Sequence, residues 1–227
     1  MQRFLVIALM VVGLSWPALA EPTLEFFVRP EQSASALSYS GSGNLNLNVA
    51  TDGVLAFNAP QRNFFTALLS GTIIGSSAAF DHADSTGWFF KPGGPISIIA
   101  GVDFPGSTPD LPNGTQLFSG VLGPVSLTKM VGSNLYHLSA SMSGTVLSTL
   151  LDFWGLTDTV WHGPLSVDNV AISGTPAGPL ASLRVLSASG LAELHPGSAV
   201  TIPEPRAIWM VFGLLLLACL IYRRRAA

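Results

Sequence analysis

The clearest alternation in the chain runs through residues 44–49, where Asn44, Asn46 and Asn48 interleave with Leu45, Leu47 and Val49. Period two marks a strand with one face on a core and the other in water. Thr51-Asp52-Gly53 follows. Asp-Gly is a hairpin signal, because glycine accepts positive φ and aspartate bonds nearby backbone. Residues 54–57 are therefore predicted to return as the partner strand. A second alternation sets Tyr136, Leu138, Ala140 and Met142 on one face, against Leu135, His137, Ser139, Ser141 and Ser143 on the other. Shorter strands are predicted at 23–28, 72–75, 87–90, 96–102, 165–173 and 183–188. Two more are predicted within 117–131, split by Gly123-Pro124. Segment 63–69 is open between strand and short helix. Residues 91–95 read as a turn and 105–114 as a proline-rich loop. One helix is predicted over 146–154, where Leu147, Leu150, Leu151 and Trp154 fall at i, i+3, i+4 and i+7 and Gly155 caps the end.

Many short strands at turn-rich spacing predict a mainly β fold, an antiparallel β-sandwich or jelly roll. No internal repeat is visible, which disfavours a propeller or solenoid. The β-rich exported domain is placed at 21–196, with a spacer at 197–201.

The chain's two apolar ends have a different logic. Residues 1–20 read as a signal peptide, with Arg3 as the positive start, an apolar run over 4–14, and Ala18-Leu19-Ala20 as a small-x-small cleavage site. Cleavage after Ala20 leaves Glu21 as the new N-terminus. Residues 202–225 begin Ile-Pro-Glu-Pro-Arg, continue as an uncharged run over 207–222, and finish in Arg223, Arg224 and Arg225. Prolines lack the amide donor and bias the preceding residue toward extended geometry, so Pro203-Glu204-Pro205 is an extended peptide. The 16-residue run is short against the roughly 20 of a typical span. Interfacial Trp209 and Tyr222 and the snorkelling arginines would seat it as a transmembrane helix with a cytoplasmic C-terminus.

This tail resembles the PEP-CTERM sorting signal of Gram-negative surface proteins. The resemblance covers the last two dozen residues and rests on Pro203-Glu204-Pro205, the apolar run and the three arginines, in that order. It implies recognition by an exosortase, a membrane-embedded transpeptidase-like enzyme, and an association with exopolysaccharide or biofilm. Arg206 departs from the small polar residue more usual after the motif. The resemblance predicts export by signal peptidase and the secretion machinery, transient residence in the inner membrane, and delivery to the cell surface or extracellular matrix.

Composition narrows the domain's chemistry. Residues 21–203 carry five basic and twelve acidic side chains, a net of −7. Such a surface repels polyanions, so nucleic acid is not an expected partner. The only cysteine, Cys219, lies in the apolar tail, which removes disulfides, a thiol nucleophile and cysteine-ligated zinc from the domain. His82, His137, His162 and His195 show no paired metal-ligand spacing, and there is no Gly-x-Ser-x-Gly elbow.

No catalytic residues and no cofactor are assigned from sequence. Asp81 and Asp84 have two readings, as weak Ca²⁺ ligands or as parts of a solvated turn. Asp103 and Asp110 have the same two. Trp161 and Trp88 are candidate glycan contacts, since indole faces suit pyranose rings. The competing reading puts them in the core. Trp161, beside His162-Gly163-Pro164, is expected to be the more exposed. The function expected is non-catalytic work in the exopolysaccharide matrix. The alternatives are a carbohydrate-binding module and a polysaccharide hydrolase.

Overall fold

The computed structural model describes residues 21–29, 37–39, 43–61, 64–106, 110–171 and 189–197. All lie in one compact unit, Ala20–Ser198. The leader, the sorting motif, the apolar run and the terminal arginines fall outside the described residues. So does the strand predicted at 183–188. Among the described residues no helix is long and apolar enough to cross a membrane.

Among the described residues there are ten strands and one helix. In order they are β1 (Thr23–Val28), β2 (Leu37–Ser38), β3 (Asn44–Phe57), β4 (Phe65–Ala83), β5 (Gly87–Phe90), β6 (Pro95–Val102), β7 (Leu111–Lys129), β8 (Leu135–Val146), α1 (Ser148–Trp154), β9 (Val160–Ala171) and β10 (Ser189–Pro196). The ten strands belong to a single antiparallel sheet. The expectation of a mainly β antiparallel fold holds.

The sheet's connectivity differs from a jelly roll. β1 pairs with β3, β3 with β4, β4 with β6, β6 with β7, and then β7, β8, β9 and β10 pair in sequence. β10 returns to β1, with Leu24 opposite Leu194 and Val28 opposite Gly190. The ladders thus run in chain order and close, which is the circuit of an up-and-down barrel; a jelly roll needs Greek-key crossings. β5 lies beyond β6 in the same position between β4 and β7. β2 lies beyond β1 along β3.

Two predicted interruptions are absent. β3 runs straight through Asp52-Gly53, because β1 pairs along one side of this stretch and β4 along the other. The Asp-Gly pair coincides with a register shift instead of a turn. β7 likewise runs through Gly123-Pro124, where the ladder with β8 slips between Leu122 and Val125. A bulge lets a strand bend while keeping its neighbours. The predicted loop at 105–114 ends early, since β7 begins at Leu111.

The inner face carries the core. Leu45, Leu47 and Val49 of β3 and Tyr136, Leu138, Ala140 and Met142 of β8 are buried, as their alternation predicts. Helix α1 sits at the end where β3, β6, β8 and β10 finish. It buries Leu150, Leu151, Phe153 and Trp154. Gly155 ends it in the left-handed conformation at φ 73°, the geometry of a glycine C-cap. Phe153 packs on Phe104, with ring centroids 4.5 Å apart, and the Gln61 amide donates to the Trp154 carbonyl (3.2 Å). These contacts stop that end of the sheet with side chains.

Candidate functional surface

Trp88 and Trp161 are both fully buried. Of their two readings the core one holds and glycan contact is corrected, as is the expected exposure of Trp161: each points to the inner face of its strand. Trp88 packs against Tyr136, with centroids 5.3 Å apart. The Trp161 Nε1 donates to the Asp158 carbonyl. Large indoles fill a core of this kind well, and a buried N–H needs a partner.

Asp84 and Asp81 are committed to local bonds. The Asp84 Oδ1 accepts from the Thr86 amide (2.7 Å), the Thr86 hydroxyl (2.6 Å) and the Gly87 amide (3.2 Å). Those donors, the Thr86 hydroxyl first, hold its carboxyl below the usual range. Asp84 therefore shapes the β4–β5 turn. Asp81 accepts from His82 Nδ1 (2.9 Å), and that imidazole stacks on Phe89. The Asp110 Oδ1 accepts from the Phe104 amide (3.0 Å) and ties down the loop after β6. Among the described residues no group of three or more His, Cys, Asp or Glu side chains is placed to hold a metal ion.

A further titratable cluster lies on the outer face of the seam where β10 closes on β1. Glu25 faces Glu193 across that ladder. One strand further, His195 faces His162 of β9, with ring centroids 6.5 Å apart. The His195 Nε2 donates to Glu193 Oε1 (3.0 Å). The other ring nitrogen, Nδ1, lies 3.4 Å from the Thr23 hydroxyl oxygen. Partial burial raises the Glu25 carboxyl above its ordinary range, and the Glu193 charge adds to this while His195 opposes it.

Beside the cluster lies a groove of about 470 Å³ over β7, β8 and β9. Val121, Ser143 and His162 stand in register along it. Small residues make the depression. A Cβ on Gly123 would meet the Ser141 hydroxyl, and one on Gly163 would meet the Glu193 carbonyl. Val121 and Pro164 give the groove apolar surface, and Ser141, Ser143 and His162 add hydroxyls and one imidazole. Such a surface can bind a ligand with both C–H faces and hydroxyls, with proton-exchanging groups next to it.

No local signal in the sequence joins these residues. Glu25 and Glu193 become neighbours only through closure of the sheet, and the histidines show no metal spacing. No protein-family model, no curated protein and no solved structure matches this chain.

Proposed function

We propose that this chain is an exported protein of the Gram-negative cell surface or exopolysaccharide matrix, sorted through its tail by an exosortase and working there by binding. The observation that carries the sorting half is the ordered tail, Pro203-Glu204-Pro205, the apolar run, then Arg223, Arg224 and Arg225. The leader brings the domain across the inner membrane, signal peptidase cuts after Ala20, and the arginines hold the C-terminus in the cytoplasm until the tail is processed. Deleting residues 203–205 is expected to leave the protein in the inner membrane. Normal release of that deletion variant would overturn the sorting mechanism.

The binding half is supported by where the side chains lie. The inner face is filled by Trp88, Trp154, Trp161 and the aliphatic rows, so ligand contact falls to the outer faces and ends. The groove at Val121, Ser143 and His162 suits a saccharide better than a flat charged surface would. This is the carbohydrate-binding reading, now moved off the tryptophans.

A hydrolase acting on matrix polysaccharide is the competing reading. One observation favours it: a carboxyl biased toward its protonated form at Glu25, facing a second carboxylate at Glu193. Incubating the full chain with the producer's own exopolysaccharide separates the two. Saturable binding without reducing-sugar release is expected. Sugar release that disappears in Glu25→Gln would establish the hydrolase.

A further inference from the structure

Asparagine is depleted in strands, yet Asn44, Asn46 and Asn48 take three successive outward positions on β3. No hydrogen bond ties their side chains to a described residue. The register extends this chemistry around the sheet. Asn48 stands opposite Ile74, Ile74 opposite Ser97, Ser97 opposite Ser119, and Ser119 opposite Thr145. The row crosses five strands in four steps of about 4.8 Å, roughly 19 Å in all. Gln116 flanks it and donates through Nε2 to the Ser97 hydroxyl (2.8 Å). A neighbouring row, Val121–Ser143–His162, leads into the groove.

None of these positions is Asp, Glu, Lys or Arg. That selects among ligands. A polyanion needs lysine or arginine to neutralise it, and a cation needs carboxylates. A purely apolar partner would bury the amides without partners, at about 1–3 kcal/mol for each group. A neutral polyhydroxyl chain meets every requirement. Its hydroxyls both donate and accept, as serine, threonine and the amides do. Its C–H faces can rest on Ile74 and Val121, which are about half exposed. The strand step is commensurate with the hexose step of an extended polysaccharide.

We infer that the outer face of β3, β4, β6, β7 and β8 binds an extended, uncharged polysaccharide lying across the strands, with one end in the groove at Val121, Ser143 and His162. This deepens the matrix reading and rests on it for the ligand's availability.

The test is affinity electrophoresis of the full chain, purified in detergent, through gels containing hydroxyethyl cellulose or alginate. The neutral glucan is expected to retard the protein and alginate is not. The double variant Asn48→Asp with Ser119→Asp is expected to weaken retardation at least tenfold at unchanged melting temperature. Ser85→Asp, at the β4–β5 turn, is expected to leave it intact. Three results would overturn the inference: no retardation by the neutral glucan, equal retardation of the double variant, or preference for alginate. So would concentration-dependent dimerisation abolished by the same double variant, since the face would then pair with a second copy. Glucan binding by the purified chain, together with normal release of the 203–205 deletion variant from cells, would sink the sorting mechanism alone. Correct sorting without glucan binding would sink this inference alone.

Discussion

Glu25 and Glu193 stand directly opposite each other on the ladder that closes the sheet, with His195 bonded to one of them. Like charges in such a pair destabilise a ladder. Partial burial first, and the Glu193 charge second, raise the Glu25 carboxyl. A group whose folded value lies above its unfolded one holds its proton more tightly in the native state. Its stabilisation is complete below the ordinary value of 4.5 and is lost as pH rises through the folded value. Glu25→Gln removes that loss. The variant is expected to melt higher than the parent at pH 7, with the gap closing toward pH 4. A gap that stays constant across this range would refute the account.

The Thr66 hydroxyl is buried on the inner face of β4 without a hydrogen-bond partner among the described residues. A buried orphan of this kind costs about 1–3 kcal/mol. Valine has the same branched shape and no polar atom. Thr66→Val is therefore expected to raise the urea midpoint by a corresponding amount at constant m-value. An unchanged or lower midpoint would mean that the hydroxyl has a partner, such as a bound water.

Trp161 tests whether the indoles act as core or as contact. As core, Trp161→Ala should cost about 3–5 kcal/mol. Trp161→Phe should cost less, since it keeps most of the volume and loses the bond to the Asp158 carbonyl. Both variants, held at temperatures where they stay folded, should retain glycan binding. Loss of binding by folded Trp161→Phe would restore the indole as a contact.

The sequence made individual strands legible wherever one face was apolar. The Leu45–Leu47–Val49 and Tyr136–Leu138–Ala140–Met142 sets are buried as read. The helix was legible too, through Leu147, Leu150, Leu151 and Trp154 at i, i+3, i+4 and i+7 and through Gly155, though its hydrogen-bonded part begins at Ser148. What local pattern could not supply was partnership. Asp52-Gly53 carries every mark of a turn, and only strands on both sides keep it extended. Trp161 sits in a sequence full of turn residues, yet the parity of β9 sends it inward. The Glu25–Glu193–His195 cluster and the Asn48-to-Thr145 row exist only because of register, which no short window contains.

Closure of the sheet by its first and last strands also fixes the order in which it can be completed. Leu24 gains its partner Leu194 only after nearly the whole domain has been synthesised. Until then β1 can pair with β3 but leaves its other edge open, and an open edge is a template for pairing with another chain. Contacts this distant in sequence fold slowly. While that edge is open, the domain's exposure to aggregation is greatest. Anything that keeps separate chains apart during that interval raises the yield of closed domains without touching the stability of the finished sheet.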